Sequence, residues 1–116
     1  MKATCELMIW YVLPAIRREL AKSLIHEHGL SRKEVAGKLE VTEATISHYM
    51  RSKRAKVVLS DEGVMAQISQ LAEKLTNGDY VSGMDICKIC NSIRSTKVVD
   101  SLYVLYTNEQ APEVVA

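Results

Sequence analysis

Residues 31–54 read SRKEVAGKLEVTEATISHYMRSKR, two short amphipathic segments joined by a tight turn. Ser31 is a strong N-cap and Glu34, three positions on, completes a capping box, so a helix begins here and buries Val35, Ala36 and Leu39. Thr42 is a second N-cap. The helix it opens turns Ile46, Tyr49 and Met50 inward on spacings of three and four, with Val41 as the apolar plug of the turn. Helix nucleation is costly, so helices below about 12 residues are marginal alone in water. The pair therefore needs neighbours to pack on.

With Ile46, Tyr49 and Met50 inward, the second helix has Glu43, Ala44, Ser47 and His48 left to present, all small or hydrogen-bonding. Arg51, Lys53, Arg54 and Lys56 follow directly, with no acid among them. An exposed helix of this kind, flanked by cations that pair with phosphates, suits entry into the major groove of a duplex. The plainer reading of the same pattern is a capped helical hairpin with a solvated basic rim.

The stretch resembles the helix-turn-helix of the lambda-repressor-like (Cro/repressor) family, whose second helix is the recognition helix. The resemblance implies that Thr42 and Thr45 hold phosphates, that Glu43, Ala44, Ser47 and His48 face base edges, and that Arg51, Lys53 and Arg54 grip the backbone. Ser31 and Arg32, at the opening of the first helix, join that DNA-binding set. Glu40 stands where the family's turn usually carries Gly, which asks a residue with a Cβ to take left-handed backbone, and Gly37 weakens the first helix. A second resemblance covers more of the chain. CELMIWYVLPAIRREL, from Cys5 to Leu20, followed by the helix-turn-helix and then by ICKIC, from Ile86 to Cys90, is similar to a group of predicted archaeal transcriptional regulators. It implies sequence-specific binding of duplex DNA to control transcription.

The 116 residues make one domain's worth of chain, 47% hydrophobic, with a formal charge of +1. That charge is unevenly spread: residues 1–56 hold eleven Lys or Arg against six acids, and residues 57–116 hold four against eight. A basic half joined to an acidic half implies that one end meets a polyanion. The apolar run from Leu7 to Leu13 is too short for a membrane span, and Pro14 and the charged Arg17-Arg18-Glu19 follow it without a cleavage site. A cytoplasmic protein with no membrane partner is expected. No phosphate-binding Gly-rich loop, metalloprotease helix or nucleophile–base pair at informative spacing is present in the sequence, so an enzyme is not expected.

Around the central motif the spacing predicts further helices. A first helix is expected from Thr4 to Leu13, where the run from Leu7 is apolar on every side and so means all-round burial or a partner surface, although its β-branched and aromatic content also permits a strand. Trp10 and Tyr11 read as core aromatics. Pro14 suits the start of a new helix or a kink in a continuing one. Ile16, Leu20 and Leu24, with Ala21 and Ile25, then form a stripe that Gly29 ends, and this helix braces Val35, Leu39 and Ile46. Val57, Val58 and Leu59 read as an extended connector, and Ser60 as the cap of a helix carrying Val64, Ile68, Leu71 and Leu75 until Asn77-Gly78. That stripe is either core or a dimer seam, since repressors of this kind commonly pair on palindromic sites. Ser82 and Asp85 cap a helix over 83–94, and Val98, Leu102 and Leu105 suit a last one.

The fold expected is therefore all-α, with five or six helices. Residues 1–56 form the helix-turn-helix part with its bracing helices, 57–106 a C-terminal helical part with the cysteines and a dimer contact, and 107–116 a tail. The partners expected are double-stranded DNA and a second copy of the chain.

Three cysteines, at positions 5, 87 and 90, argue against a disulfide framework. Cys87 and Cys90 lie three apart on a helix, about 60° around its axis, near enough to bind one metal or cluster. Packing of the N-terminal helix against theirs would add Cys5 as a third ligand. Three readings stay open: thiols that behave as small hydrophobes with no cofactor, a metal site holding an iron–sulfur cluster ahead of zinc, and a redox disulfide between Cys87 and Cys90. The leading expectation is a DNA-binding regulator, one that would sense redox state or metal if Cys5, Cys87 and Cys90 hold a cluster or ion. Its rival is an iron–sulfur or zinc-binding redox protein whose helix-turn-helix is purely structural.

Overall fold

The apolar segment near the N-terminus is helical, not extended, and it continues into the brace. In the computed structural model, which describes residues 1–51, 57–94, 97–108, 110 and 112–116, an α-turn (α1, Thr4–Leu7) runs through a π-helical segment (Met8–Val12) into α2 (Leu13–His26). The wide segment sits just before Pro14, and the Leu13 N–H reaches back five residues to the Met8 carbonyl. Proline lacks an N–H and its ring crowds the carbonyl four residues earlier, here that of Trp10, so a widened turn lets the helix pass Pro14 unbroken. Leu7, Met8, Val12, Ile16, Leu20 and Leu24 point inward. Ile9 and Trp10 do not: they are 57% and 52% exposed, which corrects the expectation that Trp10 is a core aromatic, while Tyr11 is half-buried. The helix ends where Gly29, at φ 69°, turns left-handed and donates its N–H to the Ile25 carbonyl.

Helix α2 is the hub. It packs on α3 (Arg32–Leu39), α4 (Glu43–Arg51), α5 (Glu62–Asn77) and α6 (Gly83–Arg94), so the helix-turn-helix and the C-terminal helices share one core. Val35 and Ile46 are fully buried in that core, with Leu39, Tyr49 and Met50 half-buried at its edge. Each fully buried aliphatic side chain stabilises by about 1.5–3 kcal/mol, which is how helices of eight and nine residues persist here.

In α5 the stripe of Val64, Ile68, Leu71 and Ala72 is buried by the chain itself, with Leu75 and Met65 half-buried, so the candidate dimer seam is core. Its N-cap is Asp61, not Ser60: Asp61 Oδ2 accepts from the Val64 N–H at 3.0 Å. Just before it, the Ser60 and Asp61 N–H groups both donate to the Ala116 carbonyl. Helix α7 (Val98–Thr107) follows α6, and packs on α1 through the Tyr103 hydroxyl, 3.1 Å from Thr4 Oγ1.

The segment read as a tail returns to the molecule. Val114–Val115 (β2) pairs in parallel with Val57–Val58 (β1), Val57 opposite Val114. Arg18, itself buried, donates from Nη2 to the Val57 carbonyl at 3.1 Å and fixes β1 on α2. Among the described residues the fold has six helices, counting Thr4 to His26 as one, and this single two-stranded contact. No helix among them is long and apolar enough to cross a membrane.

Candidate nucleic-acid interface

The interface is built from the caps upward. Ser31 Oγ accepts from the Glu34 N–H and the Glu34 carboxylate accepts from the Ser31 N–H, both at 3.1 Å, completing the capping box that opens α3. The Ser31 backbone N–H, then its hydroxyl, hold the Glu34 carboxyl below its ordinary range; desolvation opposes them, and the charge of Lys38 adds a smaller effect in their favour. Glu40 ends α3 at φ 55° and ψ 44°, the left-handed conformation its position demanded, and the Glu40 and Val41 N–H groups both return to the Ala36 carbonyl. Thr42 then caps α4, its Oγ1 accepting from the Thr45 N–H at 3.1 Å and lying 2.9 Å from Thr45 Oγ1.

This turn sets the face that α4 presents. Helix α4 leans on α2 and α3 through Ile46, and Glu43, Ala44, His48 and Arg51 are exposed, with Ser47 half-buried among them. Positions 43, 47 and 51, and positions 44 and 48, are four apart, so these side chains form one continuous stripe. Ser31 and Arg32 are exposed beside it at the start of α3. Arg32 crosses the gap and donates from Nη1 to Ser47 Oγ at 3.1 Å, a link between the two helices that their spacing did not announce. Thr42 is exposed and Thr45 half-buried, so Thr42 has the more open hydroxyl of the two. Lys53 and Arg54, expected to grip the backbone, lie outside the described residues, as does Lys56.

The motif is also tied to the C-terminal half. Lys38 Nζ donates to the Leu75 carbonyl at 2.9 Å, in the last turn of α5, where a cation meets the negative end of the helix. Sequence spacing gave no sign of this contact, because it joins two stripes that are each complete without it.

The cysteines stand apart from this surface. Cys5 and Cys87 are exposed and Cys90 is half-buried on α6, all three as free thiols. The π-helical segment packs on α6, as the three-ligand expectation required. Burial pushes the Cys90 thiol up, and the neighbouring Cys87 and, more weakly, Cys5 push it the same way, against the opposing charge of Arg94. Cys5 is thus within electrostatic reach of the α6 pair. Among the described residues, however, no three His, Cys, Asp or Glu side chains form a group that could hold a metal ion. His26 is exposed and His28 half-buried at the end of the brace. No protein family, curated protein or solved structure matches this chain.

Proposed function

We propose that the chain binds duplex DNA sequence-specifically and regulates transcription, with α4 as the recognition helix. One observation carries the reading: the side of α4 opposite Ile46 is an open stripe of small, polar and cationic side chains, Glu43, Ala44, Ser47, His48 and Arg51. A helix of this width fits the major groove, where Ser and His can read base edges while Arg32 and Arg51 at its margins pair with phosphates. The basic balance of residues 1–56 favours approach of this end to a polyanion.

The test is selection of bound duplexes from a random pool, followed by titration of the selected site at several salt concentrations. The reading expects a defined site, with log affinity falling linearly in log salt by about 0.9 per phosphate contacted. Arg51→Ala combined with Arg54→Ala should abolish binding while the far-ultraviolet circular dichroism is unchanged. Enrichment of no sequence, together with affinity indifferent to salt, overturns the proposal in favour of a structural helical hairpin.

A further inference from the structure

We infer that the pocket where the helix-turn-helix meets the C-terminal helices binds a small organic anion, an aliphatic monocarboxylate whose charge pairs with Arg17. The pocket holds about 370 Å³, within the range of about 300–1,000 Å³ usual for small-molecule sites. Arg17 and Leu20 of α2 form one wall, and Lys38, Leu39 and Glu40, at the end of α3, form a second. The rest comes from Leu71 and Leu75 of α5 and from the segment that opens α6, Val81 to Gly83 with Ile86.

The donors that border this pocket have capacity to spare. Arg17 is half-buried, yet its guanidinium makes no hydrogen bond or ion pair among the described residues. An arginine withdrawn from water ordinarily spends its donors, as the adjacent Arg18 does on the Val57 carbonyl. Lys38 gives one donor to the Leu75 carbonyl and keeps two. At the start of α6, Asp85 takes the Ser82 N–H, whereas the Gly83 N–H, at the positive end of the helix, has no acceptor among the described residues. Glu40 is the one acid among the described lining residues, against Arg17 and Lys38, so the pocket is left with a single net positive charge. That charge suits a monoanion. Apart from Ser82 the remaining lining is aliphatic, with no aromatic ring on which a nucleobase or flavin could stack. An inorganic anion would leave those walls uncovered, and a neutral lipid would leave Arg17 unpaired. A volume of about 370 Å³ holds on the order of a dozen non-hydrogen atoms, each taking about the 30 Å³ of a water molecule. A monocarboxylate with an alkyl body of roughly that size meets the demands of charge, wall and volume together.

Sodium octanoate is the probe, with octan-1-ol as its uncharged counterpart and acetate as its head alone. Calorimetric titration of the full chain, without DNA, should show one saturable octanoate site with a Kd of roughly 0.1–1 mM. In a proton–nitrogen correlation spectrum the Leu39, Val81 and Gly83 amides should shift. Emission from Trp10, the only tryptophan and outside the pocket lining, should stay constant. Octan-1-ol and acetate should each bind weaker than octanoate by about tenfold or more. Arg17→Gln should weaken octanoate by about tenfold with an unchanged circular dichroism spectrum, and Arg17→Lys should recover part of the loss. No saturable binding up to about 10 mM overturns the inference, as does octan-1-ol that binds as tightly as octanoate. Undiminished binding to a folded Arg17→Gln protein overturns it equally. So does a change in Trp10 emission with a silent Gly83 amide, which would put the ligand on the exposed apolar surface at Ile9 and Trp10. Should Arg17→Gln fail to fold, the comparison of octanoate with octan-1-ol on the wild-type chain decides alone.

Discussion

Arg32 Nη1 donates to Ser47 Oγ at 3.1 Å, so the first residue of α3 is held by the presented side of α4. The two residues divide the labour expected of such a surface, a cation at the margin and a hydroxyl within the stripe. On the proposed DNA-binding function, Arg32→Ala should weaken binding to all duplexes alike and reduce the magnitude of the salt slope by about one. Ser47→Ala should leave the slope unchanged and lose about 1–3 kcal/mol of discrimination between the selected site and a single-base variant. Anisotropy titrations of both variants over a salt series separate the outcomes, and equal slopes for Arg32→Ala and wild type would take Arg32 off the phosphate backbone.

The turn between α3 and α4 carries a cost written in its sequence. Glu40 holds φ 55°, where a Cβ approaches the following carbonyl, a strain of about 1–2 kcal/mol that glycine does not feel. Glu40→Gly relieves the strain and also gives the unfolded chain more freedom to lose. The strain is the larger effect, so the variant should be more stable by about 1 kcal/mol, seen as a higher urea midpoint at unchanged slope. A lower midpoint would mean that the Glu40 side chain itself contributes more than its backbone costs.

Local chemistry made these features legible in advance. The Ser31–Glu34 box, the Thr42 cap and the Ser82–Asp85 pair each depend on residues three apart, whereas the left-handed Glu40 was legible only through the helix-turn-helix resemblance, whose turn usually carries Gly there. The stripe on α2 and the all-α class follow from the same short-range periodicity. What escaped the sequence is long-range or without phase. Val57 and Val114 pair across more than fifty residues, and two-residue strands carry no alternation to detect. The run from Leu7 to Leu13 is apolar all round, so nothing in it indicated that Ile9 and Trp10 would face out. Ser60 and Asp61 are both good caps one residue apart, and Asp61 is the one that caps.

The Arg18–Val57 contact binds the middle of the chain to α2 in a way no short-range pattern could show. Arg18 is 9% exposed, and its Nη2 donates to the Val57 carbonyl at 3.1 Å while Nε lies 3.4 Å from Glu19 Oε1. Removing the guanidinium strips a buried carbonyl of a charged donor and leaves space where the side chain packed. Arg18→Ala should cost about 2–3 kcal/mol by denaturant unfolding. Arg18→Lys should recover only part of that, because a single ammonium cannot reach Val57 and Glu19 in the same fork. Full recovery by Lys would show that charge alone, not the planar geometry, holds β1 in place.

The Cys90 thiol of α6 should respond to pH in a defined direction. Burial, then the nearby Cys87, raise the Cys90 thiol above its ordinary value, so the fold prefers Cys90 protonated. Stability from this preference is fully present below the unfolded thiol pKa of about 8.5 and is lost as pH rises through the higher folded value. The difference in urea midpoint between wild type and Cys90→Ala should therefore be flat from neutral pH to about 8 and then move against wild type. Alkylation follows the same cause: Cys87 is exposed and Cys90 half-buried with less thiolate at a given pH, so iodoacetamide should label Cys87 first, resolved by peptide mass spectrometry. Labelling of Cys90 ahead of Cys87 at neutral pH would mean that Arg94 outweighs burial at that sulfur.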